Sequence, residues 1–199
     1  MISKEPQLNK TVSLTLIALT LAGCTSLPSA EKQAQLTDAA RLTAGGLLQT
    51  LGGELKASMT SGGPAATIGV CKQRAPQIAA DAAGKSGFTI KRVSMKNRNP
   101  KAVPDAWERE ALTKLEQRLA AGERPEKLDM SAVVDTGEGQ VFRYAKALPT
   151  QAMCLNCHGD PDKLSPEVKA KLAEEYPEDK AVGYSAGMIR GLLSIKKAL

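Results

Sequence analysis

Residues 130–148 read MSAVVDTGEGQVFRYAKAL. Two strand-like runs, Met130–Asp135 and Gln140–Leu148, flank the turn segment Thr136–Gly139, and that arrangement predicts a β-hairpin. Upstream the pattern is helical. Leu36, Ala40, Ala44, Leu47, Leu51 and Leu55 recur every three or four residues, one stripe of an amphipathic helix running to about Met59. SGGP (Ser61–Pro64) ends it. A second helix follows, with Ile68, Cys71, Ala75, Ile78, Ala79 and Ala82 on one face, a spacing that turns the Cys71 thiol inward. Pro76 falls inside this pattern and predicts a kink or restart just after the cysteine. The pairs Gly45–Gly46 and Gly52–Gly53 interrupt the first helix, each glycine costing up to ~1 kcal/mol against alanine. Close approach of a backbone or a flat ligand accounts for them; so does plain tolerance.

Between these helices and the hairpin, Phe88–Ser94 (FTIKRVS) is strand-like and Asn97–Pro104 reads as loop. A third helix opens at Asp105, with Glu108 three positions on to complete a capping box. Trp107, Ala111, Leu112, Leu115 and Leu119 form its apolar face, and Gly122 closes it. Beyond the hairpin come a cysteine-containing segment, a helix from about Ser165 to Glu175, and a turn at Gly183 leading to a closing strand that reaches Ile195. The order of elements predicts an α+β domain with N-terminal helices and a small antiparallel sheet.

The first 23 residues hold Lys4 and Lys10 and then an apolar run that ends at Cys24. The run is about 13 residues, short of the ~20 a membrane-crossing helix needs. A basic start, a short apolar core and small residues before a cut site describe a secretory leader. Leu21–Cys24 (LAGC) resembles the bacterial lipobox. That resemblance implies a signal peptide over 1–23, a lipid on Cys24, a tether over 24–34 and a folded domain over 35–199. It also implies an exported protein facing the periplasm, and Thr25, where an aspartate is absent, favours the outer membrane. An ordinary signal peptide or an uncleaved apolar tail are the alternatives.

The net charge of +6 is spread along the chain without an arginine-rich stripe. That suits solubility, or docking to an acidic partner, and argues against nucleic acid. Only six residues are aromatic: Phe88, Trp107, Phe142, Tyr144, Tyr176 and Tyr184. Aromatic side chains normally supply much of a core's buried area. A chain this poor in them invites a core built around something else that is large, flat and apolar.

CLNCHGD (Cys154–Asp160) contains the attachment signature of c-type haem, Cys154-x-x-Cys157-His158. The chemistry sets the spacing: two thiols add to the two vinyl groups of one porphyrin edge, and the adjacent histidine reaches the iron. A redox disulfide of the thioredoxin kind expects a βαβ context that is missing here. A zinc site would need a fourth ligand, for which Cys71 is available. The reading is one covalent haem c on Cys154 and Cys157, with His158 on the iron. His158 is the only histidine, so a second histidine ligand from the same chain is excluded. Met59, Met95, Met130 and Met188 remain as partners for the far side, each equally readable as a core gap-filler; Met153 is too close to Cys154. Cys71 is the one cysteine without an assignment, readable as an iron ligand or as a small buried hydrophobe.

Several segments occur in an order that resembles a family of single-haem c-type domains with a PAS-like fold, long classed as a domain of unknown function. They are Ile68–Cys71 with Ala75, Pro76, Ile78 and Ala79; Arg92–Ser94; Asn97–Pro100; Trp107–Glu108; Cys154–Gly159; and a carboxyl-terminal pattern. That last pattern comprises Tyr176, Pro177, Asp179, Ala181, Gly183, Tyr184, Gly187, Arg190, Gly191, Ser194 and Ile195. The resemblance spans about residues 35–197. It implies His158 and Cys71 as the two axial iron ligands, and it leads one to expect an acidic residue where Met188 stands.

Arg92, Arg98 and Arg190 are candidates to pair with haem propionates, because the guanidinium fork suits carboxylates; solvent-facing positions or internal ion pairs are the plainer alternative. Trp107 reads as a core anchor and Asn99–Pro100 as a loop former. A thiolate opposite histidine stabilises ferric iron and closes the metal to substrate. The expectation is therefore a lipid-anchored cytochrome that transfers single electrons to or from a redox partner protein, with no small-molecule substrate and no bond chemistry of its own. The alternative is a haem-based redox or gas sensor acting through a partner.

Overall fold

The computed structural model of the chain describes Met1 and residues 28–199. Cys24 and, apart from Met1, the expected leader lie outside the described residues. Helix α1 spans Ala30–Gly69. Ser29 caps it, its hydroxyl accepting the Lys32 N–H at 3.2 Å, and Glu31 in the first turn complements the helix dipole. Residues 30–34, expected in the tether, are therefore helical. Within α1 the backbone breaks at Gly63 (φ 73°, ψ −176°), inside the expected stop, and Pro64 restarts it. Nothing lies within 4 Å of a Cβ built on Gly45, Gly46, Gly52 or Gly53. Among the described residues no neighbouring backbone presses on those glycines.

Val70–Arg74 forms a widened π-type turn in which the Ala75 N–H reaches five residues back to the Val70 carbonyl. The cause is local: Pro76 has no N–H to offer the turn before it. Helix α2 then runs Ala75–Ser86, with the proline in its first turn, where the N–H is not needed. The kink expected after Cys71 is a bulge that contains Cys71, and the thiol is half-buried rather than turned fully into the core.

Strands β1 (Thr89–Val93), β2 (Asp129–Asp135), β3 (Gln140–Pro149) and β4 (Ile189–Ala198) form an antiparallel sheet in the order β1-β4-β3-β2. The closing strand thus slots between the first strand and the hairpin. Side chains alternate faces along each strand. Phe142, Tyr144, Leu193 and Ile195 pack against Leu47 and Leu51 of α1 and Ile78 of α2. Ala145, Ala147 and Leu192 meet Ala111, Leu112 and Leu115 of α3 (Ala106–Ala120) on the other face. A third cluster, Ile68, Leu164, Val168, Leu172 and Tyr176, holds α5 (Pro166–Glu175) to the end of α1. The result is an α+β fold, with the cysteine-bearing turn set beside that third cluster.

Polar groups lock α3 to the sheet. Glu108 is fully buried and satisfied by Lys91 at 2.9 Å, Arg143 at 3.3 Å, the Ser194 hydroxyl at 2.6 Å and the Asp105 N–H at 2.8 Å. Arg143 also lies 4.6 Å from the Trp107 ring, so Trp107 is a core anchor. Asp105 completes the capping box and accepts from Arg143 at 2.7 Å and Lys196 at 3.3 Å. Burial alone would raise the Asp105 carboxyl, but Arg143, the Glu108 amide and Lys196 together hold it at about 2. An unfolded aspartate titrates near ~3.9. The folded value being the lower, the unfolded chain binds more protons, and this contribution is complete above about pH 4 and lost as pH falls toward about 2. Asp105→Asn keeps the capping oxygen and removes the charge. Urea midpoints measured from neutral pH to about pH 2.5 should show the variant less stable at neutral pH, with a shallower acid decline; an unchanged acid slope would rule this role out.

Candidate functional site

Cys154, Cys157 and His158 lie on one compact turn. Helix α4 (Leu155–His158) is a single turn, and Gly159 ends it by bonding back to the Leu155 carbonyl at 3.0 Å. Only glycine fits there, since a Cβ would stand 2.6 Å from that same carbonyl oxygen. The turn is tied to a distant segment of chain. The Gly183 N–H donates to the Gly159 carbonyl at 2.7 Å, and the Tyr184 N–H donates to the His158 carbonyl at 2.9 Å. His158 Nδ1 lies 2.7 Å from the Ala181 carbonyl.

Burial first, and then the charges of Arg190 and Arg98, push the His158 pKa down to about 2, against the opposing pull of the Ala181 carbonyl. The ring is therefore neutral. With its proton on Nδ1 and given to Ala181, its Nε2 carries a lone pair, toward which Arg190 Nε points at 3.5 Å. Such an imidazole, fixed in tautomer and orientation by a backbone acceptor, is prepared to ligate a metal.

His158 and Cys71 line the same cavity, of about 530 Å³. One wall is small and apolar: Ala75, Ala79, Ala80 and Ala83 of α2, with Phe88. The opposing elements are β1 and the loop after it, which closes back when the Ser94 N–H meets the Ala102 carbonyl at 3.0 Å. Asn99 shapes that loop, its side-chain oxygen accepting the Lys101 N–H at 2.9 Å. Arg92, Arg98 and Arg190 all line the cavity, as do Lys91 and Lys101, and no carboxylate does.

The three arginines differ in what they hold. Arg98 is buried and committed: it donates to Asp179 from Nε at 3.0 Å and to the Cys157 carbonyl from Nη2 at 2.6 Å. Among the described residues it makes an internal ion pair and also lines the cavity. Arg190 Nε donates toward the unprotonated His158 Nε2 at 3.5 Å and makes no ion pair among the described residues; burial and then Arg92 lower its pKa to about 10. Arg92 has neither a hydrogen-bond nor an ion-pair partner for its side chain among the described residues. Asp179 and Ala181 carry no role in the sequence reading. They belong to the carboxyl-terminal pattern of the resemblance, which was the available signal.

Cys154 and Cys157 are half-buried free thiols, as is Cys71. Neither of the paired thiols lines the cavity. Cys157 packs on the third cluster with its Sγ 3.9 Å from the Pro64 carbonyl, and burial raises its pKa, with Arg98 opposing and Cys71 adding to the rise. Cys71 and Cys157 are thus close enough to sense each other's charge. Met59, Met95, Met130, Met153 and Met188 all stay out of the cavity lining. Met188, where an acid was expected, instead accepts the Ser185 N–H on its sulfur at 3.2 Å and closes a turn. Among the described residues no three acidic, cysteine or histidine side chains gather as a metal-binding group.

The family model for Tll0287-like proteins, described as Tll0287, matches residues 16–197. The crystal structure of the cyanobacterial heme-protein Tll0287 aligns with a TM-score of 0.59 at 22% identity, covering 86% of this chain and 97% of that one. At that identity the likeness is one of fold. No curated protein matches the chain.

Proposed function

The chain belongs to the Tll0287-like family, and on that premise we propose that it is a c-type cytochrome that carries one haem and transfers single electrons. The single observation that carries this reading is the meeting of Cys71 and a neutral His158 on one cavity that no methionine lines. The cavity suits the group. Alanines along α2 leave a wall without protruding side chains, and charged lining residues that are all cationic among the described residues suit a flat, apolar ring bearing two carboxylates.

Under this reading each residue has a task. Cys154 and Cys157 hold haem c by two thioether bonds. His158 offers Nε2 to the iron, held in place by Ala181. Cys71 offers sulfur from the π-type turn, where the extra residue in the turn offsets the thiol from the regular helical face. Arg92 and Arg190, without carboxylate partners among the described residues, would receive the propionates, while Arg98 braces the attachment turn. The bound haem supplies a reversible one-electron couple. Were His158 and Cys71 both to hold the iron, substrate would be kept from it, which favours a carrier over a catalyst.

Visible and electron paramagnetic resonance spectra of wild type and Cys71→Ala, in both oxidation states and with CO, test this. Wild type should give a low-spin ferric signal typical of thiolate ligation, lost in the variant, and the reduced wild type should resist CO. Identical ferric spectra would remove Cys71 from the iron. Ready CO binding by reduced wild type would favour the sensor reading.

We also propose that residues 1–23 are a cleaved leader, that Cys24 bears lipid and that the domain faces the periplasm at the outer membrane, docking there to a redox partner. Helix α1 starts at Ala30, so the few residues from Cys24 span at most about 20 Å when extended. The domain would sit close against the lipid surface. Cys24→Ser should move the protein from the membrane fraction to the soluble periplasmic fraction; retention in the membrane would exclude the lipid anchor.

A further inference from the structure

One buried ion pair stands directly behind the histidine ligand. Arg98 and Asp179 meet at 2.9 Å with side chains 7% and 11% exposed. Solvent screening of such a pair is weak, so its charges act on their neighbours at short range. Both residues also reach the groups that hold His158. Asp179 accepts the Ala181 N–H at 2.8 Å. Arg98 Nη2 donates to the Cys157 carbonyl at 2.6 Å and lies 3.4 Å from the Ala181 carbonyl. That carbonyl is the one that receives the His158 Nδ1–H at 2.7 Å. A single oxygen is therefore shared between the imidazole and a guanidinium cation.

We infer that Arg98 and Asp179 are a positioning pair that sets how strongly His158 donates electrons to the iron, and so sets the potential of the haem. The inference rests on the haem reading given above. Its physical basis is the competition at the Ala181 oxygen. A cation drawing on that oxygen weakens it as an acceptor, so Nδ1 keeps its proton more firmly and the ring gains less imidazolate character. A poorer histidine donor, with a cation nearby, favours the reduced metal. The Asp179 carboxylate acts in the opposite sense through its negative charge, and it limits the effect by drawing Arg98 to itself. The pair thus contributes two opposed electrostatic terms, which a purely mechanical brace would lack.

The opposition supplies the test. Midpoint potentials of the holoprotein are measured by spectroelectrochemistry for wild type, Arg98→Gln, Asp179→Asn, the double variant and Arg98→Lys, with thermal melts alongside. Arg98→Gln should shift the potential negative and Asp179→Asn should shift it positive, whatever the melts show. The double variant should return toward wild type, and Arg98→Lys, which keeps the charge, should stay nearer wild type than Arg98→Gln. In the proton spectrum the His158 Nδ1–H resonance should move with each single variant. Shifts of the same sign in both single variants, or lowered melting temperatures with unmoved potentials, would overturn the inference and leave the pair a brace. Should a neutral variant fail to fold, the His158 Nδ1–H resonance of Arg98→Lys and Asp179→Glu provides the comparison: the pair's distances change with the charges kept, and a resonance unmoved in both overturns the inference. A wild-type protein without a haem spectrum would instead defeat the haem reading itself, and this inference with it.

Discussion

Three hydrogen bonds join residues 158–159 to residues 181–184, and the functional geometry depends on them. The His158 and Gly159 carbonyls accept from Tyr184 and Gly183, and His158 Nδ1 meets the Ala181 carbonyl. The attachment turn is a single turn of helix, too short to be stable by itself. It holds its shape because a segment more than twenty residues away supplies partners for its backbone and its side chain. Arg98 ties in a third stretch of chain by reaching Cys157 and Asp179 together. Without this lacing the imidazole would be free to turn, and its lone pair would have no fixed direction.

The second constraint is the space the fold leaves open. Alanines in α2, strand β1 with the loop after it, and Arg92 and Arg190, which have no carboxylate partner among the described residues, together make a slot that is apolar along one wall and carries cations on its lining. Burying cations without counter-charges is costly. The lowered Arg190 and His158 pKa values are that cost expressed locally, each led by burial. An anionic group seated in the slot relieves it. The same electrostatics that keep His158 neutral, and fit to bind metal, therefore also favour a ligand bearing carboxylates.

Much of the fold was legible because its signals are local. The periodicity of Leu36–Leu55, the Asp105–Glu108 capping box, the Thr136–Gly139 turn and the Ser165 start of α5 each act within a few residues. What the sequence did not disclose is long-range. Nothing near Ile189 says that β4 lies between β1 and β3, because that pairing rests on contacts across the whole domain. The Glu108 network and the Arg98–Asp179 pair are of the same kind: their partners are distant in sequence, and no local pattern names them. Pro76 announced a distortion but not its form, a widened turn that holds Cys71. The glycine pairs of α1 face open space among the described residues, so a neighbouring protein backbone does not account for them. For the site, spacing alone singled out Cys154, Cys157 and His158, while Cys71 needed elimination and family resemblance; the fold then brought it to the cavity that His158 lines.

The central claim is that sulfur from Cys71 and nitrogen from His158 occupy the two axial positions of one haem. Iron K-edge X-ray absorption on the ferric holoprotein addresses it without any substitution. The account predicts six-coordinate iron with five nitrogen scatterers and one sulfur scatterer. A shell of nitrogen and oxygen alone, or five-coordinate iron, would contradict it.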